Sequence, residues 1–349
     1  MKQFLSGNEA VAQGLHQAGV TVGSAYPGTP STEIFESLSQ YPAIYHEWAP
    51  NEKVALEVAY GASIAGVRSV AAMKHVGLNV AADPLFTAAY NGVGRGFVII
   101  TGDDPGMHSS QNEQDNRHYA RAAKLPLFEP ADSQDALDMI QEAYQLSEDF
   151  DLPVLFRMTT RVCHSRSLVQ TGQAVQVEPI PYKRQAEKFI ASPANAYRHR
   201  AALEDKMKRL AAYAESCPFN KMDIQGSKIG VVTAGGASLI AREVFPKDSS
   251  FLTLGFTHPL PLDLIRTFSE KVETLYVVEE LDPFMEEQIR AAGIDCIGKA
   301  VVPSMYELNP TILREALTGE VTEAKKVETQ AVPRPPVLCP GCPHRGFFY

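Results

Sequence analysis

Glu52 opens a run of small and aliphatic residues, Glu52-Lys53-Val54-Ala55-Leu56-Glu57-Val58-Ala59-Tyr60-Gly61-Ala62. A glutamate in the first turn of a helix ordinarily serves the helix dipole. In a buried pocket the same carboxyl has its pKa raised, holds a proton near neutral pH and can do acid–base work. Cys339 and Cys342 form a C-x-x-C within Leu338-Cys339-Pro340-Gly341-Cys342-Pro343-His344-Arg345-Gly346, the spacing of a metal or cluster ligand pair, and Arg345 is a candidate anion contact. Two thiolates do not complete a four-cysteine cluster site. Ala234-Gly235-Gly236-Ala237 follows an apolar strand. Free N–H groups at such a turn could receive a phosphate, although a plain strand-to-helix turn is the favoured reading. No P-loop, dinucleotide fingerprint or zinc-hydrolase motif is present, so a nicotinamide dehydrogenase has little support. Lys74 and His75 follow a strand end, where ligands gather in open α/β sheets. They read either as cations for a substrate carboxylate or as a solvated loop pair, and the polar run Gln111, Asn112, Glu113 and Gln114 could line the same pocket.

Alternating helical and strand-like segments must position these residues. Asn8 to Ala18 has helical apolar spacing, and Val20 to Tyr26 predicts a strand entering the loop Tyr26-Pro27-Gly28. Thr29 is the expected N-cap of the next helix, with Pro30 at its first position and Glu33 at its positive end. Ile44 to Glu47 predicts a strand and Glu52 to Gly66 a helix. Ser69 to Met73, Gly96 to Thr101 and Val154 to Met158 read as strands, the first two with the apolar character of buried parallel ones, and Ser133 to Leu146 reads as an amphipathic helix. Such alternation implies a parallel sheet with helices on both faces. From about Ser165 to Gln225 the texture changes to a linker and a helical excursion rich in Lys, Arg and Ala, read as a solvated face in preference to a nucleic-acid arm. A second α/β unit follows: strands at Lys228 to Thr233, Phe251 to Gly255 and Thr274 to Glu279, with helices through Phe245, at Leu262 to Phe268 and at Pro283 to Ala292.

The formal net charge of -9 argues against general nucleic-acid affinity. Hydrophobic content of 45% and charged content of 21% are those of a globular protein with more than one core. No apolar run is long enough to span a bilayer, and the start MKQFLSGNEAVAQGL lacks the form of a signal peptide. The scattered Cys163, Cys217 and Cys296 are not a disulfide framework, and the expected compartment is the cytoplasm.

Several stretches resemble one family. Tyr26-Pro27-Gly28-Thr29-Pro30-Ser31 is similar to the loop that opens the first domain of the 2-oxoacid:ferredoxin oxidoreductases. The segment from Glu52, with Gly61 nine positions on, looks like the glutamate segment of the pyrimidine-binding domain in thiamine-diphosphate enzymes. Trp48-Ala49-Pro50-Asn51-Glu52-Lys53 and Met73-Lys74-His75-Val76-Gly77-Leu78-Asn79-Val80-Ala81-Ala82-Asp83-Pro84 resemble the indolepyruvate branch. Ser110-Gln111-Asn112-Glu113-Gln114-Asp115 and the C-terminal Cys339-Pro340-Gly341-Cys342-Pro343-His344-Arg345 fit that branch too, so the resemblance runs in order through the whole chain.

The resemblance implies an α/β fold: a thiamine-diphosphate-binding (pyrimidine-domain) doubly wound parallel sheet, followed by a transketolase C-terminal-like α/β domain. The expected boundaries are 1–165 for the pyrimidine-binding domain, 166–226 for a linker and helical excursion, 227–318 for the second domain, and 319–349 for a linker and the severed start of a diphosphate-binding domain. Glu52 is then expected to hydrogen-bond the aminopyrimidine of thiamine diphosphate, as a buried carboxyl with a raised pKa, and Thr29 to approach the thiazolium and the substrate. Pro27, Gly28, Gly77, Leu78 and Arg345 are implied cofactor contacts, and Lys74, His75, Gln111 and Gln114 substrate contacts. Cys339 and Cys342 become half of a cluster site. Magnesium and [4Fe-4S] clusters are implied for the complete enzyme, mostly outside this chain.

The implied activity is oxidative decarboxylation of aryl pyruvates to aryl-acetyl-CoA. Electrons go to ferredoxin, a β subunit is a partner, and the assembly is a dimer of heterodimers. The chain is expected to be a truncated or split subunit, inactive alone. Rivals are a pyruvate or 2-oxoglutarate branch of the same family and a non-catalytic assembly role.

Overall fold

The computed structural model describes residues 1–321 and the short helix Arg345–Phe348. The chain begins with β1 (Lys2–Ser6), which the sequence reading did not anticipate. Ser6 then caps the helix Gly7–Gln17 reciprocally: its hydroxyl accepts the Glu9 N–H at 3.1 Å, and its own N–H reaches the Glu9 carboxylate at 2.8 Å. β2 (Val22–Ala25), β3 (Tyr45–Trp48), β4 (Ser69–Lys74), β5 (Phe97–Asp103), β6 (Leu127–Phe128) and β7 (Val154–Thr159) follow. They form the parallel part of one sheet in the order β6-β7-β5-β4-β2-β3. Every residue of β5 and β7 is buried, as central parallel strands between two helical layers require, including the charged Asp103 and Arg157.

Helices cover both faces. On one, Val11 and Leu15 of Gly7–Gln17 meet Leu137 and Ile140 of the helix Ser133–Phe150. On the other, Leu56 and Ala59 of Glu52–Ile64 pack with Leu85 and Ala88 of the helix Ala82–Asn91. The doubly wound sheet implied by the resemblance is therefore present.

The stretch after Ser165 is more structured than the sequence suggests. β8 (Arg166–Gln170) pairs antiparallel with β1, closing the start of the chain onto its middle. The helix Pro193–Ser216 starts from a Ser192 cap and buries Leu203, Leu210 and Ala214. β9 (Lys221–Asp223) is the antiparallel edge of a second sheet, of order β13-β10-β11-β9, with β10 (Ile229–Ala234), β11 (Ser250–Leu254) and β13 (Thr274–Val278). This second sheet is also covered on both faces, by Ile265, Phe268 and Phe284 on one and by Ala241 and Leu313 on the other. The helix Pro310–Thr318 that supplies Leu313 was not foreseen.

One strand joins the two units. β12 (Phe256–His258) leaves the second sheet after Gly255 and pairs antiparallel with β6, with Phe256 opposite Phe128 and His258 opposite Leu127. Only three residues long, β12 carries no periodicity that a sequence reading could detect. No helix among the described residues is long and apolar enough to cross a membrane.

Candidate functional site

The chain runs from β2 outward to β3 and then returns to place β4 on the other side of β2. That reversal makes a switch point, and the loops leaving the carboxyl ends of these strands converge there. The ladder continues into the loops: the Ala49 N–H donates to the Ala25 carbonyl at 2.8 Å. Asn51 then caps the helix Glu52–Ile64, its side chain accepting the Val54 N–H at 3.0 Å, so that Glu52 is the first helical residue.

Two glycine contacts bring the sequence-predicted residues together. A β-carbon on Gly77 would stand 2.5 Å from Cγ and Oε1 of Glu52. A β-carbon on Gly28 would stand 2.8 Å from Cβ of Lys74. Only bare α-carbons allow these approaches. Glu52 is half-buried in this chain, where the sequence reading expected a buried carboxyl. Among the described residues its carboxylate makes no hydrogen bond and no ion pair. Glu57, by contrast, is exposed and 3.9 Å from Lys53.

Thr29 is half-buried and its hydroxyl has no partner among the described residues, while Pro27 is exposed. Thr29 does not cap a helix. The Gly28 carbonyl accepts the Ser31 N–H at 3.0 Å, and Thr32 Oγ1 accepts the Gly28 N–H at 2.8 Å. This turn delays the helix, which spans Thr32–Leu38 with Ser31 at the N-cap, and Pro30 lies before it. Leu78 is fully buried and belongs to the core beneath the site.

Lys74 and His75 are not a solvated pair. The Lys74 ammonium donates to the Ser109 carbonyl at 2.6 Å; burial lowers its pKa, with the Asp104 charge opposing. His75 is completely buried, its Nε2 3.1 Å from the Asn112 carbonyl oxygen. Together they hold the loop between Asp104 and Asn116. Asp104 fastens the same loop by accepting from Ser109 N–H at 2.9 Å, Ser110 Oγ at 2.6 Å and Thr160 Oγ1 at 2.7 Å. Burial opposes its ionisation, but these hydrogen bonds outweigh it and leave its pKa below the usual value. Gln111 is exposed on this loop, and Gln114 Nε2 donates to Asn112 Oδ1 at 2.9 Å.

A buried charge network escaped the sequence reading. Arg117, almost wholly inaccessible, donates from Nε to Asp115 at 2.8 Å and from a terminal nitrogen to Glu279 of the second unit at 2.6 Å. Burial raises the Glu279 pKa against the pull of Arg117; Asp115, although buried, is held far below the usual range by the same guanidinium. Arg157 likewise joins Asp103 at 2.7 Å to Glu129, which accepts Thr257 Oγ1 of β12 at 2.6 Å. The available signal was local: Glu279 and Glu280 directly follow the apolar Thr274–Val278 and are themselves buried, so they end the strand inside the protein. Carboxylate or imidazole atoms of Asp115, His118 and Asp282 lie within 4.8 Å of one another, but Asp115 is already engaged by Arg117. Arg345 is exposed in its short helix, and Cys339 and Cys342 lie outside the described residues.

Comparison with known proteins agrees with this geometry. The family model described as pyruvate flavodoxin/ferredoxin oxidoreductase, thiamine diphosphate-binding, matches residues 13–216. The indolepyruvate oxidoreductase subunit IorA of Methanothermobacter thermautotrophicus is 46% identical over 100% of this chain and 60% of its own length. The subunit of the same name from Thermococcus kodakarensis is 36% identical over 99% of this chain and 58% of its own. The chain thus spans about 60% of the length of these curated relatives. Among solved structures, the 2-oxoglutarate:ferredoxin oxidoreductase of Magnetococcus marinus matches with a TM-score of 0.77, over 91% of this chain and 65% of its own, at 17% identity. A split-gene transketolase matches with a TM-score of 0.59, over 90% of this chain and 96% of its own, at 13% identity. These two likenesses establish the fold. With a family match over more than half of its residues, centred on the sheet that carries Glu52, the chain belongs to the thiamine-diphosphate-binding family of pyruvate flavodoxin/ferredoxin oxidoreductases.

Proposed function

We propose that this chain carries the aminopyrimidine-side half of a thiamine-diphosphate site in the α subunit of an indolepyruvate:ferredoxin oxidoreductase. The observation that carries the reading is a half-buried carboxylate, Glu52, without a partner among the described residues, seated on the bare α-carbon of Gly77 at a switch point. The donor set fits the cofactor, because a carboxyl without a partner among the described residues can hydrogen-bond a ring nitrogen, and the bare α-carbon of Gly77 is what seats it there. Thiamine diphosphate, when bound, supplies the carbanion chemistry that decarboxylates a 2-oxoacid. Glu52 presents its carboxyl to the aminopyrimidine. Thr29 presents its hydroxyl from the facing loop. Lys74 and His75 keep the loop carrying Gln111 and Gln114 in place, with Lys74 as the nearby positive charge.

In this reading the complete enzyme oxidises aryl pyruvates to aryl-acetyl-CoA in the cytoplasm and passes electrons to ferredoxin. Its partner is a β subunit, in a dimer of heterodimers. Magnesium and the [4Fe-4S] clusters sit mostly in the part of the relatives' length that this chain does not span, with Cys339 and Cys342 as an incomplete pair. Residues 1–165 act as the pyrimidine-binding domain, 166–226 as the connection, 227–318 as the second domain and 319–349 as the approach to a third. The relatives' names support the aryl branch.

The test is Glu52→Gln beside Glu57→Gln in the complete enzyme. Glu57 lies about 140° around the helix from Glu52, so it cannot serve the same atom. Glu52→Gln should cut 2-oxoacid oxidation by about 10²-fold or more with the fold retained, and Glu57→Gln should be nearly normal. The opposite ranking would refute the placement. A panel of aryl and alkyl 2-oxoacids on the same enzyme tests the substrate class.

A further inference from the structure

Two consecutive residues of the second unit, Tyr306 and Glu307, touch the loop 104–116. Glu113 Oε1 accepts the Gly106 N–H at 2.6 Å, which closes the loop on itself. Its Oε2 accepts the Tyr306 N–H at 3.2 Å, which ties the loop to the second unit. Beside it, Glu307 lies 3.3 Å from His108 Nε2 and pairs with Arg161 at 2.9 Å. We propose that Glu113 is a positioning residue, through which the second unit sets the loop carrying Gln111 and Gln114 against the Glu52 site. The inference rests on the proposed role of that site. On its other side the loop is held by Lys74, at the Ser109 carbonyl, and by His75, at the Asn112 carbonyl. Asn112 is the chain neighbour of Glu113, and His75 lies two residues before Gly77, on which Glu52 sits. A shift of Glu113 therefore pulls on the same peptide that His75 holds.

The backbone at this contact points to the same role. Among the described residues, five other than glycine have φ in the left-handed region. Lys124 and Asp151 are the C-caps of their helices, where that conformation is ordinary. The other three, Met107 at 52°, Leu281 at 60° and Tyr306 at 67°, lie outside helices and strands. All three are at the contact. Met107 sits between Gly106 and His108, and Tyr306 donates to Glu113. Leu281 lines, with Glu113, Gln114 and Ser304, a cavity of about 100 Å³ between the units. A side chain makes each of these conformations costly, and such residues persist only where their surroundings over-determine them. Neither neighbouring acid replaces Glu113. Asp104 is engaged by Ser109, Ser110 and Thr160, and Asp115 by Arg117. Without Glu113 the Gly106 and Tyr306 N–H groups lose this acceptor, while Lys74 and His75 keep their hold on the other side of the loop.

Hydrogen exchange on the full 349-residue chain and kinetics of the complete enzyme test this together. Glu113→Ala should speed exchange of the Ser109 N–H about tenfold, although the acceptor of that group, Asp104, is untouched. In the complete enzyme the same variant should raise KM for the 2-oxoacid about tenfold and change kcat by less than about threefold, the pattern of weakened substrate binding. Glu113→Gln, whose amide oxygen can serve one of the two N–H donors, should fall between wild type and Glu113→Ala in both measurements. It carries the test if Glu113→Ala perturbs the fold by circular dichroism. Glu52→Gln should lower kcat and leave Ser109 exchange unchanged. The proposal is overturned if either Ser109 exchange or KM stays at its wild-type value in the folded variant, or if the loss falls on kcat with KM unchanged. Normal turnover of Glu52→Gln overturns the role of the Glu52 site instead, and exchange at Ser109 then still decides whether Glu113 holds the loop.

Discussion

The α-carbon of Gly77 and the carboxylate of Glu52 share one packing space: a β-carbon on Gly77 would lie 2.5 Å from both Cγ and Oε1 of the glutamate. Glu52 arrives from the end of β3 and Gly77 from the short helix after β4. Gly77→Ala must therefore displace the carboxylate. In the complete enzyme the variant should fold normally and lose about 10²-fold in kcat/KM, since a small misplacement of a positioned group is that costly. Circular dichroism and 2-oxoacid turnover check both halves. An unchanged rate would mean that the carboxylate position is unimportant.

Arg117 joins the units through Asp115 and Glu279 without access to water. Arg117→Met leaves two buried carboxylates without their guanidinium. Urea unfolding should show a loss of about 3–5 kcal/mol, the usual result of breaking a buried pair from one side. Glu279 also accepts the Met285 and Glu286 N–H groups, so the docking of the helix Phe284–Ala291 should loosen with it. Hydrogen exchange at those amides reads that directly.

His258, on the strand that joins the sheets, is buried and bonded through Nδ1 to the Leu125 carbonyl at 2.7 Å. Burial pushes its pKa down from 6.5 to about 4. A histidine depressed in the folded state favours folding fully above the unfolded pKa, and that stability is lost as pH falls through the window from about 6.5 to about 4. Between pH 7 and pH 5 its contribution should fall by about 2 kcal/mol. His258→Asn keeps a donor near the Nδ1 position and removes the titration. Denaturation midpoints of the two proteins should converge as pH falls across that window, and a parallel decline would assign the acid sensitivity elsewhere.

Thiamine diphosphate should bind this chain alone weakly, with Kd above the micromolar range, even with magnesium present. The reading places only the aminopyrimidine side of the site here, and the diphosphate and its metal gain their affinity from charged contacts. Calorimetric titration decides it. Submicromolar binding would place the diphosphate site within this chain.

Local features of the chain were legible without coordinates. β4 and β5 were readable from the apolar runs Ser69 to Met73 and Gly96 to Thr101, because a central parallel strand is buried on both faces. Glu52 at the start of a small-residue helix was readable because helix starts depend on neighbouring residues, here the Asn51 cap. The resemblance of ordered motifs added the family. Contacts between distant segments were not legible. The seat of Glu52 on Gly77 depends on β2 lying between β3 and β4, an order that no local pattern encodes. Thr29 looked like an N-cap, but a hydrogen-bonded turn through Gly28 and Thr32 took precedence. Arg117 and Glu279 are 162 residues apart, and β12 is too short to show a period. Periodicity and capping are properties of a few consecutive residues, whereas the position of a side chain against another strand's loop is set by which strands lie side by side, and that is decided only when the whole sheet closes over its cores.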